Sequence, residues 1–231
     1  MFYSGHYFNL YGKYDRNPKQ TKGNKMKKML LIPIALIVGT TAYAQVEQNE
    51  PARDSYIGMR LHKNANMAID MSTNVGVYGK LQAKPWGISI NAGQRVNQYI
   101  TLEGEIGYGG GIRAEGFGET DTFSASAAMF NAYLHHEISE GISPYVGLGL
   151  GMGLVTGELD LYGYGIYLSD TAISISYQLM LGVNFDVSDR FLVNVGVRYR
   201  DYGQLEMGYG TTKFLFDVDA TEFNVGVAYK F

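Results

Sequence analysis

Few residues of this 231-residue chain are of types and spacings that could do chemistry. His135-His136-Glu137 offers two imidazoles and a carboxylate, the material of a metal site or an acid–base pair. On an extended chain, however, neighbouring side chains point to opposite faces, so His135 and His136 do not share one ion, and the HEXXH spacing is absent. His62 and Ser55 sit on one short strand with no acid at triad distance. The glycines at 147, 149, 151 and 153 recur with period two rather than as GxGxxG before a helix, so they do not form a phosphate cradle. Asp217, Asp219 and Glu222 could bridge divalent cations to anionic head groups, the simpler expectation being a solvated acidic rim. No catalytic, cofactor-binding or metal-ligating residue is expected.

The remaining polar chemistry is a set of charges spaced to share one side of a sheet: Arg60, Arg95, Glu103, Glu105, Glu137, Asp186, Arg198 and Arg200. Each is placed on the polar face of an alternating segment. Four positive against four negative groups turned to a common interior would pair with one another, because an unpaired buried charge is costly. The expectation is a charge-filled lumen with no continuous pore; a charged constriction for ions is the competing reading.

The elements that must position these charges are strands. Alternation with the two-residue β period runs through Ser55 to His62, Trp86 to Val96, Ile100 to Tyr108, Phe123 to Glu137, Pro144 to Val155, Ile173 to Asp186, Phe191 to Arg200 and Thr221 to Phe231. Large apolar residues occupy one face, while Gly, Ser, Asn, Gln, Arg and Glu occupy the other. Short links fall at Val96 to Gln98, Ser139 to Ser143 and Val187 to Arg190, and longer ones at roughly 63 to 85, 109 to 122, 156 to 170 and 202 to 220. Eight strands joined by alternately short and long links predict an all-β fold, an eight-stranded antiparallel up-and-down transmembrane barrel with its short turns and both termini in the periplasm. Glycines on the inward face of the fifth strand would make room for Arg and Tyr of neighbouring strands.

Residues 26–44, MKKMLLIPIALIVGTTAYA, have the basic start, short apolar run and A-x-A ending of a secretory signal peptide. Residues 1–25 then form an upstream extension, with translation expected to start at Met26, and residues 45–231 form the barrel domain. There is no cysteine, hence no disulfide or thiolate chemistry. Residues 45–231 carry 12 Lys and Arg against 21 Asp and Glu, a net −9 that argues against nucleic acid as a partner.

PYVGLGLGMG after a short turn, FLVNVGVRYRDYG and the aromatic last strand together resemble the small outer-membrane barrels: OmpA-like transmembrane domains and the Opa, Ail and OmpX surface proteins. The terminal Asn224, Gly226, Tyr229 and Phe231 are similar to the signal such chains present to the barrel-assembly machinery. The resemblance implies a bacterial outer-membrane location among lipid and lipopolysaccharide, a monomer, and action through extracellular loops in surface contact, adhesion or envelope integrity, with an unidentified surface ligand. A small porin-like channel and a lipid-modifying enzyme are the alternatives it leaves open.

Overall fold

The computed structural model describes residues 54–74, 76, 78–116, 119–161 and 166–231. The expected signal peptide, the segment before it and residues 45–53 lie outside these. Among the described residues the chain forms nine strands: β1 (Ser55–Thr73), β2 (Tyr78–Ala83), β3 (Trp86–Arg95), β4 (Ile100–Gly116), β5 (Glu119–His135), β6 (Ile142–Leu161), β7 (Ile166–Asp186), β8 (Phe191–Tyr209) and β9 (Thr212–Lys230). All neighbours are antiparallel, and β1 pairs with β9 to close the ring.

The count of nine rather than eight has a local cause. β3 pairs with β1 over Ser55–Lys63 and β2 pairs with β1 over Met67–Ser72, so the two lie end to end along one side of β1. Between them stand Lys84 and Pro85. Proline has no N–H to give the ladder, and the strand breaks there. Eight positions around the ring remain.

The strands are far longer than the alternation in the sequence predicts. β7 has 21 residues and β9 has 19, and most of the stretches expected as long links are strand. At about 3.3 Å per residue, such strands are far longer than the roughly 25 Å apolar band of an outer-membrane barrel requires. Their outward side chains show where the band ends. On β9, Phe223, Val225, Val227 and Tyr229 are exposed, whereas Asp217 and Asp219 stand on the same face above them.

The upper half is built differently from the lower. β3 pairs with β4 only up to Ile88–Tyr108, and β7 with β8 only up to Tyr177–Asp201. Above those points the ring parts into two four-stranded sheets, β2-β1-β9-β8 and β4-β5-β6-β7, which face each other. Between them lies an apolar core that includes Met67, Ile69, Ile112, Phe123, Val155, Leu159, Leu205, Met207, Phe216 and Val218. The Phe123 and Phe216 rings meet across it at 5.1 Å.

Three β-bulges sit where the two halves join: Asn64/Asn66 on β1, Tyr108/Gly110 on β4 and Asp201/Gly203 on β8. Each inserts one residue and so turns the following side chains to the other face. On β1 the odd-numbered Ile57, Met59 and Leu61 face out, while Met67 and Ile69, also odd, face in. Gly203, at φ 89°, serves the β8 bulge, and a Cβ there would stand 2.3 Å from that of Ser174. β9 has no bulge and inverts by composition instead: its inner face runs Phe214, Phe216, Val218, Ala220 and then Glu222, Asn224, Gly226.

Candidate functional site in the barrel lumen

Below the bulges, the inward face gathers three guanidinium and three carboxylate groups in the bore. Arg60 of β1 donates through both terminal nitrogens to Glu103 of β4, at 2.7 Å each, and through Nη1 to Glu105 at 2.9 Å. Glu105 Oε1 also accepts from Arg198 Nη1 at 2.8 Å and from Arg200 Nη2 at 2.5 Å. Arg198 Nε donates to Glu222 of β9. All six side chains are buried. Charges out of water are tolerable only when both partner and remaining hydrogen bonds are supplied, and the neighbours supply all but the one that Arg200 Nη1 leaves unmade. Tyr56 and Tyr133 each donate to Glu103 at 2.7 Å, and Tyr202 donates to Glu222 at 2.8 Å.

Amides close the arrangement into a loop across the bore. Arg200 Nε donates to Gln178 Oε1 at 2.7 Å, Gln178 Nε2 to Asn131 Oδ1 at 2.6 Å, and Asn131 Nδ2 to Glu103 Oε1 at 3.1 Å. The loop therefore joins β4, β5, β7, β8 and β1. His62 is bound at both ring nitrogens: Arg198 Nη2 lies 2.8 Å from Nδ1, and Nε2 lies 3.0 Å from the Tyr108 carbonyl. Arginine can only donate and a carbonyl can only accept, so the imidazole carries its proton on Nε2.

β6 gives this face no side chain that could block the network. A Cβ at Gly149 would stand 2.2 Å from Asn131 Oδ1, and one at Gly153 would stand 1.9 Å from the Tyr202 carbonyl oxygen. The glycine face is thus filled by Asn, Gln and Tyr and by the backbone of β8, which crosses close to β6 where the ring flattens into two sheets.

Of the eight charges expected to share the lumen network, Arg60, Glu103, Glu105, Arg198 and Arg200 are brought together and three are not. Arg95 lines the cavity at the mouth on the short-turn side, with His135, Tyr145, Asn184 and Asn194. Asp186 takes a 2.6 Å hydrogen bond from Lys230 at that mouth. Glu137 is exposed beyond the end of β5 and accepts from the Gly141 N–H at 2.9 Å, capping a turn. Arg95 and Asp186 lie too near the turns to reach the middle of the bore. The two-residue period specifies a face and says nothing about depth.

Glu222 is the converse case. Expected beside Asp217 and Asp219 on an acidic rim, it lies fully buried in the network, because its even number puts it on the opposite face of β9. Extending the inward set of Asn224 and Gly226 back by two residues identifies it. A step of two forward from Arg60 reaches His62, and from Arg200 it reaches Tyr202.

The other candidates are dispersed. His135 points inward, 3.0 Å from Thr101 Oγ1, whereas His136 is exposed and stacks on Tyr99 at 5.9 Å. Ser55 is at the short-turn end of β1, where its carbonyl accepts from Phe231, and His62 is seven residues away in the bore. Among the described residues no three His, Asp or Glu are grouped to hold a metal ion. At the end of the chain, Asn224 and Gly226 face inward while Tyr229 and Phe231 face outward, the Tyr229 ring lying 5.6 Å from that of Phe191.

A closed antiparallel ring with an apolar outer band, an ion-paired interior and short turns at one end defines a membrane β-barrel of the bacterial outer membrane. The chain belongs to the outer membrane protein beta-barrel domain family, whose model matches residues 32–231. Among solved structures it is similar to OprG from Pseudomonas aeruginosa, at 14% identity and a TM-score of 0.50, over 77% of this chain and 96% of that one. It is similar at the same identity and TM-score to AlkL, over 83% of this chain and 96% of that one. Neisserial surface protein A aligns at 21% identity and a TM-score of 0.48, over 77% of this chain and 97% of that one. A search of curated proteins finds no match.

Proposed function

We propose that this protein is a non-enzymatic surface barrel, closed to solutes, that acts by contact through the part of its wall that stands above the outer membrane. The observation that carries this reading is the filling of the interior by two successive layers. An ion-paired network crosses the bore at membrane depth, and an apolar core between two sheets stands above it. A solute would have to break buried ion pairs and then part close-packed side chains. Contact would fall to the outer wall and hairpin tips of the long strands, in place of the long loops expected from the sequence.

The partners under this reading are lipid, lipopolysaccharide and a surface ligand not identified by any residue here, met by a monomeric barrel. Residues 26–44 serve as export signal after a start at Met26. Asn224, Gly226, Tyr229 and Phe231 serve as the assembly signal. The test is planar-bilayer recording with the refolded protein. No unitary conductance is expected; reproducible channel steps would contradict the closed lumen and favour a small pore.

A further inference from the structure

The outer wall is not uniform in charge at the level where its apolar band ends. On β8, β9 and β1 it carries Asp201, Asp217, Asp219 and Asp70, with Asp201 opposite Asp219 and Asp70 opposite Asp217 in the ladders. Around the break between β2 and β3 it carries Lys63, Lys84 and, on the outer face of β4, Arg113. Here the exposed apolar Leu61 gives way on the same face to Lys63, and Ile88 to Trp86.

We propose that this second sector, centred on Lys63, Lys84 and Trp86, binds the phosphate groups of outer-leaflet lipid. The proposal rests on reading the outer wall as the contact surface and is independent of whether the lumen is closed. Lys63 and Trp86 are direct partners across the β1–β3 ladder. The Lys63 ammonium lies 4.9 Å from the centre of the Trp86 ring and donates to the Lys84 carbonyl. Two contacts thus hold this cation in place. Trp86 is 66% exposed, directly above the lipid-facing Ile88, which is where an indole settles at a membrane interface.

Lys84 is exposed on the two-residue connection to Pro85, and no carboxylate among the described residues pairs with it. The nearby acid, Asp70, is taken by Lys80 at 3.0 Å. β4 has no strand partner on this side above Tyr108, so no wall strand covers the approach. At this depth the abundant anion is the phosphate of the lipid head group, and lysine binds phosphate as a point charge.

Trp86 is the only tryptophan in the chain, so its emission reports on this site alone. The full barrel, refolded in a non-ionic detergent and checked by its gel mobility, is titrated with phosphorylated lipid A, with dephosphorylated lipid A and with inorganic phosphate, each with and without EDTA. Phosphorylated lipid A should produce a saturable change in Trp86 emission that survives EDTA. The Lys63→Gln/Lys84→Gln double variant should bind on the order of twentyfold more weakly, about fivefold per lysine. Lys84→Gln alone, at an exposed position, should give about the single-lysine loss and serves if the double variant does not fold; Lys80→Gln should bind as wild type. Equal response to dephosphorylated lipid A would overturn the proposal in favour of acyl-chain contact. Equal response to inorganic phosphate would overturn it in favour of a free-anion site. Loss of binding in EDTA, or wild-type affinity in the lysine variants, would overturn it in favour of metal bridging at the aspartate sector. Conductance of the same preparation reads the closed lumen separately.

Discussion

The lower and upper halves of this barrel are inside-out versions of one another. In the lower half Leu148, Leu150, Leu179 and Leu181 face out and Arg198, Arg200 and Glu105 face in; in the upper half Asp217, Glu206 and Lys213 face out and Phe216, Leu205 and Met207 face in. One backbone runs through both. The difference follows from the solvent outside: hydrocarbon around the lower wall demands apolar side chains, and water around the upper wall frees the interior to be a hydrophobic core. The strands cross from one solvent to the other in two ways. β1, β4 and β8 keep the sequence parity of their apolar residues and change face with a bulge, whereas β9 keeps its face and changes parity.

Shifting a strand by one residue beyond its bulge should break the comparison most severely. Ala65 is the extra residue on β1, between the Asn64–Glu222 and Asn66–Thr221 pairs. One further residue inserted after Asn66 would turn Met67 and Ile69 to water and Asp70 into the core. Hydrogen exchange in the strands above the bulges should then approach that of unfolded chain, while the lower strands stay protected.

In the lower half the largest single loss should come from Glu105→Gln, which leaves Arg60, Arg198 and Arg200 short of a shared acceptor. Removing one member of a buried ionic group costs about 3–5 kcal/mol, and urea unfolding from vesicles, followed by gel mobility, should show it. Glu137→Gln, at an exposed turn, should change little by the same assay. Phe216→Ala in the upper core should cost about 3 kcal/mol, read as faster exchange confined to residues above the bulges.

Asp219 offers the smallest effect, with a sign set by pH. Its partial burial, reinforced by Asp70, Asp201 and Asp217 and opposed by Lys80, raises its pKa above the usual 3.8. A folded pKa raised above the unfolded one means that the charged carboxylate costs stability at neutral pH. That cost fades as pH falls through the raised pKa and is gone below 3.8. Asp219→Asn should therefore slow exchange in β9 above Thr221 at neutral pH and leave it unchanged below 3.8.

The same comparison explains what could be read in the sequence. Period two puts Arg60, Glu103, Glu105, Arg198 and Arg200 on one polar face, and in the structure these five meet in the bore, because a membrane strand has one lipid face and the polar residues have only one other place to go. Depth along the strand leaves no such mark, so the same period also takes in Arg95, Glu137 and Asp186, which the structure holds near the turns. The upper strands were hidden for a related reason. Residues 63 to 85 and 202 to 220 lack the lipid-facing pattern, because their outer faces meet water, and a bulge such as Asn64-Ala65-Asn66 leaves no periodic mark. The direct contact of β8 with β6 at Gly153 is a long-range consequence of the flattening and has no local signal beyond the glycine itself.

The inversion itself can be measured residue by residue on β9. The chain has no cysteine, so single substitutions to Cys at 215, 217, 219, 221, 223, 225 and 227 along the outer face, and at 216 and 218 inside, carry one spin label each in a lipid bilayer. The account predicts collisions with oxygen at 223, 225 and 227, collisions with a water-soluble nickel chelate at 215, 217 and 219, a crossover at 221, and access to neither reagent at 216 and 218. Oxygen-rich, nickel-poor signals at 217 and 219, or nickel access at 216 and 218, would contradict it.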